Sequence, residues 1–335
     1  PVVVVGVGVE PDKPYTELQR LIEAFNIPMI DTPKSKGTLP ARHPLFAGTI
    51  GLSRTDPVYE ILDESDCIIA VGFDVVELVK PWDQKQSLIW IANWANQDPR
   101  ISCEVEYVGN MPTLLNTLCE TLDITIDTAW GENRIAEFRY KQQSLPLPAP
   151  QTNRMLPQDV LKAIRDHTPD DVVMTTDVGS HKIFTALNWQ AQQSNSYFVS
   201  NGLSAMGFGL TSAIAAAKIT DKLTICITGD AGLAMVMGEL ALLVDHNLPV
   251  VVVVMNDAAL DLIRSAQQRR GRSVFGTEFT NPDYEYIARA YRLDYRRAQS
   301  AEDCGQAIQY ARASHKPLLV EAMIDPIGYP TTVKA

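Results

Sequence analysis

The sequence predicts an α/β protein with two doubly wound parallel-sheet domains, the first of them Rossmann-like. Three observations predict it. Short valine- and isoleucine-rich runs alternate with stretches of helical periodicity along most of the chain. In the first half each run ends in Gly, Asp or Asn, as strands entering turns do. An aperiodic segment with four prolines, QQSLPLPAPQTNRMLP at 142–157, interrupts the alternation near the middle. The expected division is therefore 1–141, a linker over 142–157, and 158–335.

In the first domain Pro1 to Val5, Ile27 to Ile30, Cys67 to Val71 and Leu88 to Ala92 read as strands. Thr16 to Phe25, Asp56 to Glu64 and Met111 to Leu122 have helical spacing. In the second, Asp159 to His167 reads as a helix, Val172 to Thr175 as a strand, and the alanine-laden stretch near Gly207 to Lys218 as a helix. The strand LTICIT, an amphipathic helix through Leu233 to Leu243 and the strand PVVVVVM follow, then helices Asp283 to Tyr291 and Ala301 to Ser314 and a strand Pro317 to Ala322. Parallel strands joined by helices are the simplest topology for that order.

Composition removes several function classes. Net charge is −11 and the one basic cluster, Arg264 to Arg272, reads as a solvated loop or helix end, so a nucleic-acid surface is not expected. Five cysteines without CxxC spacing argue against a disulfide framework or zinc site and fit a reduced, cytoplasmic protein. No apolar run approaches the ~20 residues that span a bilayer, so no membrane span is expected. PVVVVGVGVE reads as a buried strand entering a glycine turn, not as a signal peptide, and the missing initiator Met implies an upstream segment.

The most informative stretch is Gly229 to Asp257. Asp230 follows one apolar strand and Asn256-Asp257 the next, 27 positions on, which leaves room for one helix and one strand. Loops leaving the carboxyl ends of neighbouring parallel strands face one crevice, and oxygen ligands there suit Mg2+ together with phosphates. Thr176-Asp177-Val178-Gly179-Ser180-His181 adds a strand-to-helix loop able to hold phosphate, although taken alone Asp177 reads as an N-cap. Gly202 to Gly209 reads as close backbone packing, with Met206 a core residue by default. Gly6-Val7-Gly8 invites a dinucleotide, yet position 11 is Pro and only Asp31 follows the second strand, so a tight turn is the expected reading.

Taken together these loops resemble the diphosphate-binding domain of thiamine diphosphate enzymes of the acetolactate synthase-like family. Its metal motif, GDG then NN, stands here as Gly229-Asp230-Ala231 and Asn256-Asp257. The resemblance implies thiamine diphosphate and Mg2+, with Asp230, Asp257 and the Ala259 carbonyl as metal ligands and Gly229, Asp230, Ala231 and Gly232 around the diphosphate. TDVGSHKIF resembles the family's TDVGQH loop, which places Val178, Gly179, Ser180 and His181 beside the diphosphate. NGLSAMGFGL resembles GLGTMGFGLP, which implies that Met206 props the bent cofactor and that the Ser204 carbonyl accepts its amino group. LDLIRSAQ matches the segment that covers substrate, so Leu262, Ile263 and Ala266 are expected to line a substrate pocket. IAVGFDVVELVKPW in the first domain is similar to the GYDPVEY pattern of the flavin-independent branch, and no FAD is expected.

Two substitutions and one absence qualify the likeness. Ala231 replaces a glycine, harmless where φ is negative, and Asp257 replaces a neutral ligand with a carboxylate. The family's first domain, which supplies the glutamate that activates the cofactor, has no counterpart, so no catalytic residue is expected in this chain. The expectation is a 2-oxo acid carboligase or decarboxylase seen in part, completed by a homo-oligomer or a separate chain, with strand edges and the Met-rich helix as contacts. A non-catalytic or regulatory two-domain subunit and a nucleotide-binding protein are the competing readings.

Overall fold

In the computed structural model the described residues are 1–52, 56–78, 84–122 and 129–329. They form two compact units, one of residues 1–146 with the segment Gln190–Asn195, the other of 147–189 and 196–329. The last residues of the pattern Ile69 to Trp82, from position 79, and the end of the second expected domain, 330–335, lie outside the described residues.

The first unit contains β1 (Val2–Val5), α1 (Tyr15–Phe25), β2 (Met29–Asp31), β3 (Phe46–Thr49), α2 (Tyr59–Glu64), β4 (Cys67–Val71), β5 (Ser87–Ala92), β6 (Val105–Val108), α3 (Met111–Thr121) and α4 (Glu132–Ser144). The strands form one parallel sheet in the order β3-β2-β1-β4-β5-β6. Both faces are covered, which is why the strands read as unbroken apolar runs. Val2 and Val4 pack into one core with Ile61, Ile68 and Trp90, whereas Val3 and Val5 pack into the other with Leu21, Ile22 and Met111.

Strand order reverses between β1 and β4, the place where open α/β sheets take nucleotides. In this unit its own side chains fill that place. The Glu77 carboxylate accepts a hydrogen bond from the Val7 amide at 2.9 Å and another from the Thr32 hydroxyl at 2.6 Å. A Cβ on Gly6 would stand 2.6 Å from Glu77 Oε1, and one on Gly8 2.1 Å from the Trp94 ring. The glycines therefore admit a carboxylate and an indole. Asp31, the last residue of β2, is fully buried, and burial pushes its carboxyl up to about 6 despite Lys36.

Burial also pushes the Glu77 carboxyl up to about 7, from an ordinary 4.5, with the Thr32 and Val7 hydrogen bonds opposing the shift. A carboxyl raised in the folded state holds its proton more tightly there than in the unfolded chain. Stability then falls as pH rises from about 4.5 to about 7, by roughly 3 kcal/mol at most. Glu77→Gln is expected to remove that part of the pH dependence in denaturant titrations at pH 5 and pH 8. An unchanged pH slope would refute the assignment.

The second unit contains α5 (Pro157–His167), β7 (Val173–Thr176), α6 (Ser180–Asn188), β8 (Tyr197–Val199), α7 (Phe208–Thr220), β9 (Thr224–Gly229), α8 (Asp230–Val236), α9 (Leu240–Asp245), β10 (Val250–Asn256), α10 (Asp261–Arg269), α11 (Tyr284–Tyr291), β11 (Asp294–Ala298), α12 (Ala301–Ser314) and β12 (Leu318–Met323). Its parallel sheet runs β11-β12-β10-β9-β7-β8. Order reverses here between β7 and β9, so the loops after Thr176 and Gly229 open onto the ligand crevice.

The doubly wound class is as expected, and three local expectations are corrected. The helix expected through Leu233 to Leu243 is broken by a 3-10 turn at Met237–Glu239 into α8 and α9. Residues 142–144, expected in the aperiodic linker, complete the last turn of α4. Pro157, expected there too, opens α5, where its missing N–H costs nothing. No helix among the described residues is long and apolar enough to cross a membrane, and all five cysteines are free.

Candidate functional site

A cavity at the β7/β9 switch point is lined by Val178, Gly179, Ser180 and His181 from the first loop and by Gly229, Asp230, Ala231 and Gly232 from the second. Met206, Asp257, Ala259, Leu262 and Ile263 also line it. Of the residues expected at the site, Ser204 and Ala266 are not in its lining. Ser204 adopts φ +52°, and its hydroxyl accepts from Lys182 Nζ at 2.9 Å and donates to the Ser200 carbonyl at 3.1 Å. Ala266 follows the lining residue Ile263 along α10, three positions on.

Met206 is part of the cavity wall and half-buried, not a core residue. Asp177 likewise departs from its expected capping role. The residue before α6 is Gly179 at φ +154°, with no side-chain cap. Fully buried, the Asp177 carboxylate instead accepts from the amides of Val178 at 2.9 Å and Gly207 at 2.8 Å and from the Thr228 hydroxyl at 3.1 Å. It thereby ties three loops together, because folding has brought in donors from 30 and 51 positions away.

Asp230 is buried at the start of α8. Its Oδ1 accepts from the Ala231 amide at 2.8 Å, and its Oδ2 from the Ala258 amide at 2.7 Å and Asn281 Nδ2 at 2.9 Å. Burial raises its pKa, against these hydrogen bonds. Ala258 reaches it from the left-handed region, φ +58°, a strained conformation for alanine that turns the chain sharply after β10. Ala231 is helical with negative φ, so the loss of glycine there carries no backbone strain. Close approach occurs one residue later. A Cβ on Gly232 would stand 2.4 Å from Asp177 Oδ2.

Side chains alternate along a strand, so Asn256 and Asp257 part company. Asn256, the last residue of β10, turns into the protein and donates to Glu321 at 2.7 Å. Asp257 borders the cavity, and its Oδ2 is buried without a hydrogen-bond partner. Burial, then the Asp230 and Asp261 carboxylates, push the Asp257 carboxyl up to about 7, with Arg264 opposing at 3.7 Å. Asp261 accepts from the Ser180 hydroxyl at 2.6 Å and from Arg264 at 2.8 Å, which pins the first turn of α10 to that of α6.

His181 Nε2 is a second buried atom without a partner. Burial pushes the imidazole well below the usual histidine range, so the ring is neutral. Gly179 and Gly229 make room for it, since a Cβ on either would lie 2.6 or 2.9 Å from its Cε1. Among the described residues no group of three or more His, Cys, Asp or Glu side chains forms a ready-made metal cluster. Asp230, Asp257 and the main chain at Ala259 are the groups able to hold a cation, and the first turn of α6 is the group able to meet an anion.

Sequence reasoning missed Met255, Leu260, Asp261 and Tyr329 in the lining and the polar support from Asn281 and Glu321. Asp261 had a usable signal, as an acid opening the helix that follows the metal loop. Tyr329 had none, because it reaches the cavity from beyond the last strand.

Comparison with known proteins agrees with this geometry. Residues 177–322 match the thiamine pyrophosphate enzyme C-terminal TPP-binding domain, and residues 1–118 match the central domain of the same enzymes. The chain is 29% identical to a probable acetolactate synthase large subunit of Methanococcus aeolicus, with 97% of this chain and 58% of that protein covered. It is 26% identical to the acetolactate synthase large subunit of Lactococcus lactis subsp. lactis, covering 97% and 57%, and 24% identical to a pyruvate oxidase of Lactiplantibacillus plantarum, covering 97% and 55%. The chain thus spans somewhat over half the length of these relatives. With both domain models in their usual order along one chain, and the β7/β9 loops of the second arranged around a cavity, this protein belongs to the thiamine pyrophosphate enzymes, of which it carries the central and C-terminal cofactor-binding domains.

Proposed function

We propose that the chain is the cofactor-holding part of a Mg2+-dependent enzyme that cleaves 2-oxo acids and joins the resulting acyl unit to an acceptor, as in acetolactate formation. The observation that carries this reading is the Asp257 carboxylate beside Asp230, its Oδ2 without a hydrogen-bond partner and with Arg264 at 3.7 Å, facing a cavity whose other wall is the first turn of α6. An excess of buried negative charge fits a divalent cation, and the cation in turn fits a diphosphate placed between Asp230 and the first turn of α6.

In this reading Asp230, Asp257 and the Ala259 carbonyl would hold the cation, while the first turn of α6 would meet the phosphate oxygens. Thiamine diphosphate, when bound, supplies a nucleophilic carbon and an electron sink for cleavage next to a carbonyl. Met206, Leu260, Leu262 and Ile263 give the cavity an apolar wall that keeps water from the reacting carbon. The filled crevice at Glu77 and Trp94 supports a first unit that takes neither FAD nor another dinucleotide. Free cysteines fit a cytoplasmic setting.

The test is product analysis for the full-length protein with thiamine diphosphate, Mg2+ and pyruvate, with and without added aldehydes. Carboligation predicts CO2 together with a C–C-joined product. The alternative, decarboxylation without joining, gives CO2 and no such product. Absence of CO2 release from every 2-oxo acid tried, with cofactor bound, would move the chain to the non-catalytic reading.

A further inference from the structure

We infer that Asn281, Asn256, Glu321 and Tyr295 form a hydrogen-bonded relay that fixes the orientation of Asp230, with Asn281 as the positioning residue. The inference rests on the reading of Asp230 as a cation ligand and goes beyond the residues that would touch the cation.

The relay starts at the sheet's edge. Tyr295 on β11 donates its hydroxyl to Glu321 Oε2 at 2.5 Å, and Arg297, directly opposite Glu321 in the β11/β12 register, brings its guanidinium within 3.6 Å of the same oxygen. Asn256 Nδ2 donates to Glu321 Oε1 at 2.7 Å. With a hydroxyl, an amide and a guanidinium all presenting hydrogens to it, the Glu321 carboxylate acts purely as an acceptor. That settles the Asn256 amide. Its nitrogen must face Glu321 and its oxygen must face away.

The outward Asn256 Oδ1 accepts from Asn281 Nδ2 at 2.9 Å, and the same Nδ2 donates its other hydrogen to Asp230 Oδ2 at 2.9 Å. Each amide orientation is thus set by the next group, and the chain of choices ends in one consequence. A donor, never an acceptor, is delivered to Asp230 Oδ2. Together with the Ala258 amide it holds that oxygen, so the carboxylate cannot rotate away from Asp257 and the cavity. Asn256 and Glu321 are 5% and 6% exposed, so water does not substitute for a missing link. Groups behind a metal ligand orient it and tune its affinity, typically by 10–100-fold.

A network that served only to satisfy buried polar groups would matter for folding and leave cation affinity alone. Calorimetric titration of thiamine diphosphate into the full-length protein over a series of Mg2+ concentrations separates the two, with thermal midpoints of the cation-free protein measured alongside. Asn281→Ala strands the buried Asn256 oxygen and lowers the cation-free midpoint somewhat. It is expected in addition to raise the Mg2+ concentration for half-maximal cofactor binding about 10–100-fold, an effect a purely structural role would not produce. Glu321→Gln, which lets the Asn256 amide turn over, is expected to act in the same direction, and Tyr295→Phe more weakly. Should Glu321→Gln fail to fold, Asn281→Ala and Tyr295→Phe at half-buried positions carry the test. If Asp230→Ala abolishes Mg2+-dependent binding while Asn281→Ala binds like the parent, the relay is refuted and the cation reading stands. If Asp230→Ala binds normally, the cation reading falls and the relay with it.

Discussion

Asp230→Ala is expected to eliminate Mg2+-dependent binding of thiamine diphosphate, weakening it by roughly 100-fold or more, beyond the range of a residue that merely supports a ligand. Two effects combine. The change removes one of two carboxylates available to the cation, and Mg2+ rarely draws on more than one or two. It also strands the groups that Asp230 holds in place, namely the Ala258 amide in a strained turn and Asn281 Nδ2. Without the carboxylate the turn after β10 loses its anchor, and Asp257, one residue earlier, loses its fixed position. Titration of thiamine diphosphate with and without Mg2+ reads the effect directly. Binding that survives the substitution, with the same Mg2+ dependence, would show that the cation is held elsewhere.

The doubly wound class and most interior elements were legible because buried parallel strands are unbroken apolar runs. Cys67–Val71 and Ala301–Ser314 come out with the expected ends. The strands that escaped, β3, β6, β8 and β11, are the two outermost in each sheet. Edge strands need only one neighbour and one covered face, so their sequences carry little periodicity. VEYV in β6 is exposed throughout, DYRRA in β11 is mostly polar, and YFV in β8 has three residues.

The site shows a similar division. Loops that follow a strong strand were found, because the strand announces them. Contacts that depend on strand parity or on distant chain segments were not. The resemblance singled out Asp257 over Asn256 without a physical reason, and the alternation along β10 supplies one, sending Asn256 into the Glu321 network and Asp257 to the cavity. Asn281 and Tyr329 join the site through folding alone. Ser204 and Ala266 show the converse, since motif position carried them to the site while the cavity wall does not include them.

Asp177 is where local reading and tertiary structure diverge most, and its removal is expected to have the largest effect on stability. Asp177→Ala leaves the Gly207 amide buried without an acceptor, frees the Val178 amide and leaves the Thr228 hydroxyl only the Gly229 carbonyl at 3.1 Å. At about 1–3 kcal/mol for each buried donor left unsatisfied, a loss of roughly 3–5 kcal/mol is expected in denaturant unfolding, a large share of a typical domain's stability. Asp177 also explains two glycines, one through its carboxylate and one through its backbone and Cβ. A Cβ on Gly232 would lie 2.4 Å from Asp177 Oδ2, and one on Gly209 2.8 Å from the Asp177 amide and 2.9 Å from its Cβ. Gly232→Ala alone should therefore destabilise the protein, but in the Asp177→Ala background the clashing oxygen is gone and Thr228 Oγ1, at 3.2 Å, is the nearest atom left to the added methyl. The two substitutions are expected to be non-additive by 1 kcal/mol or more, with the double variant more stable than the sum of the singles. Strict additivity would mean that Gly232 is small for another reason and that the loops are not joined through Asp177.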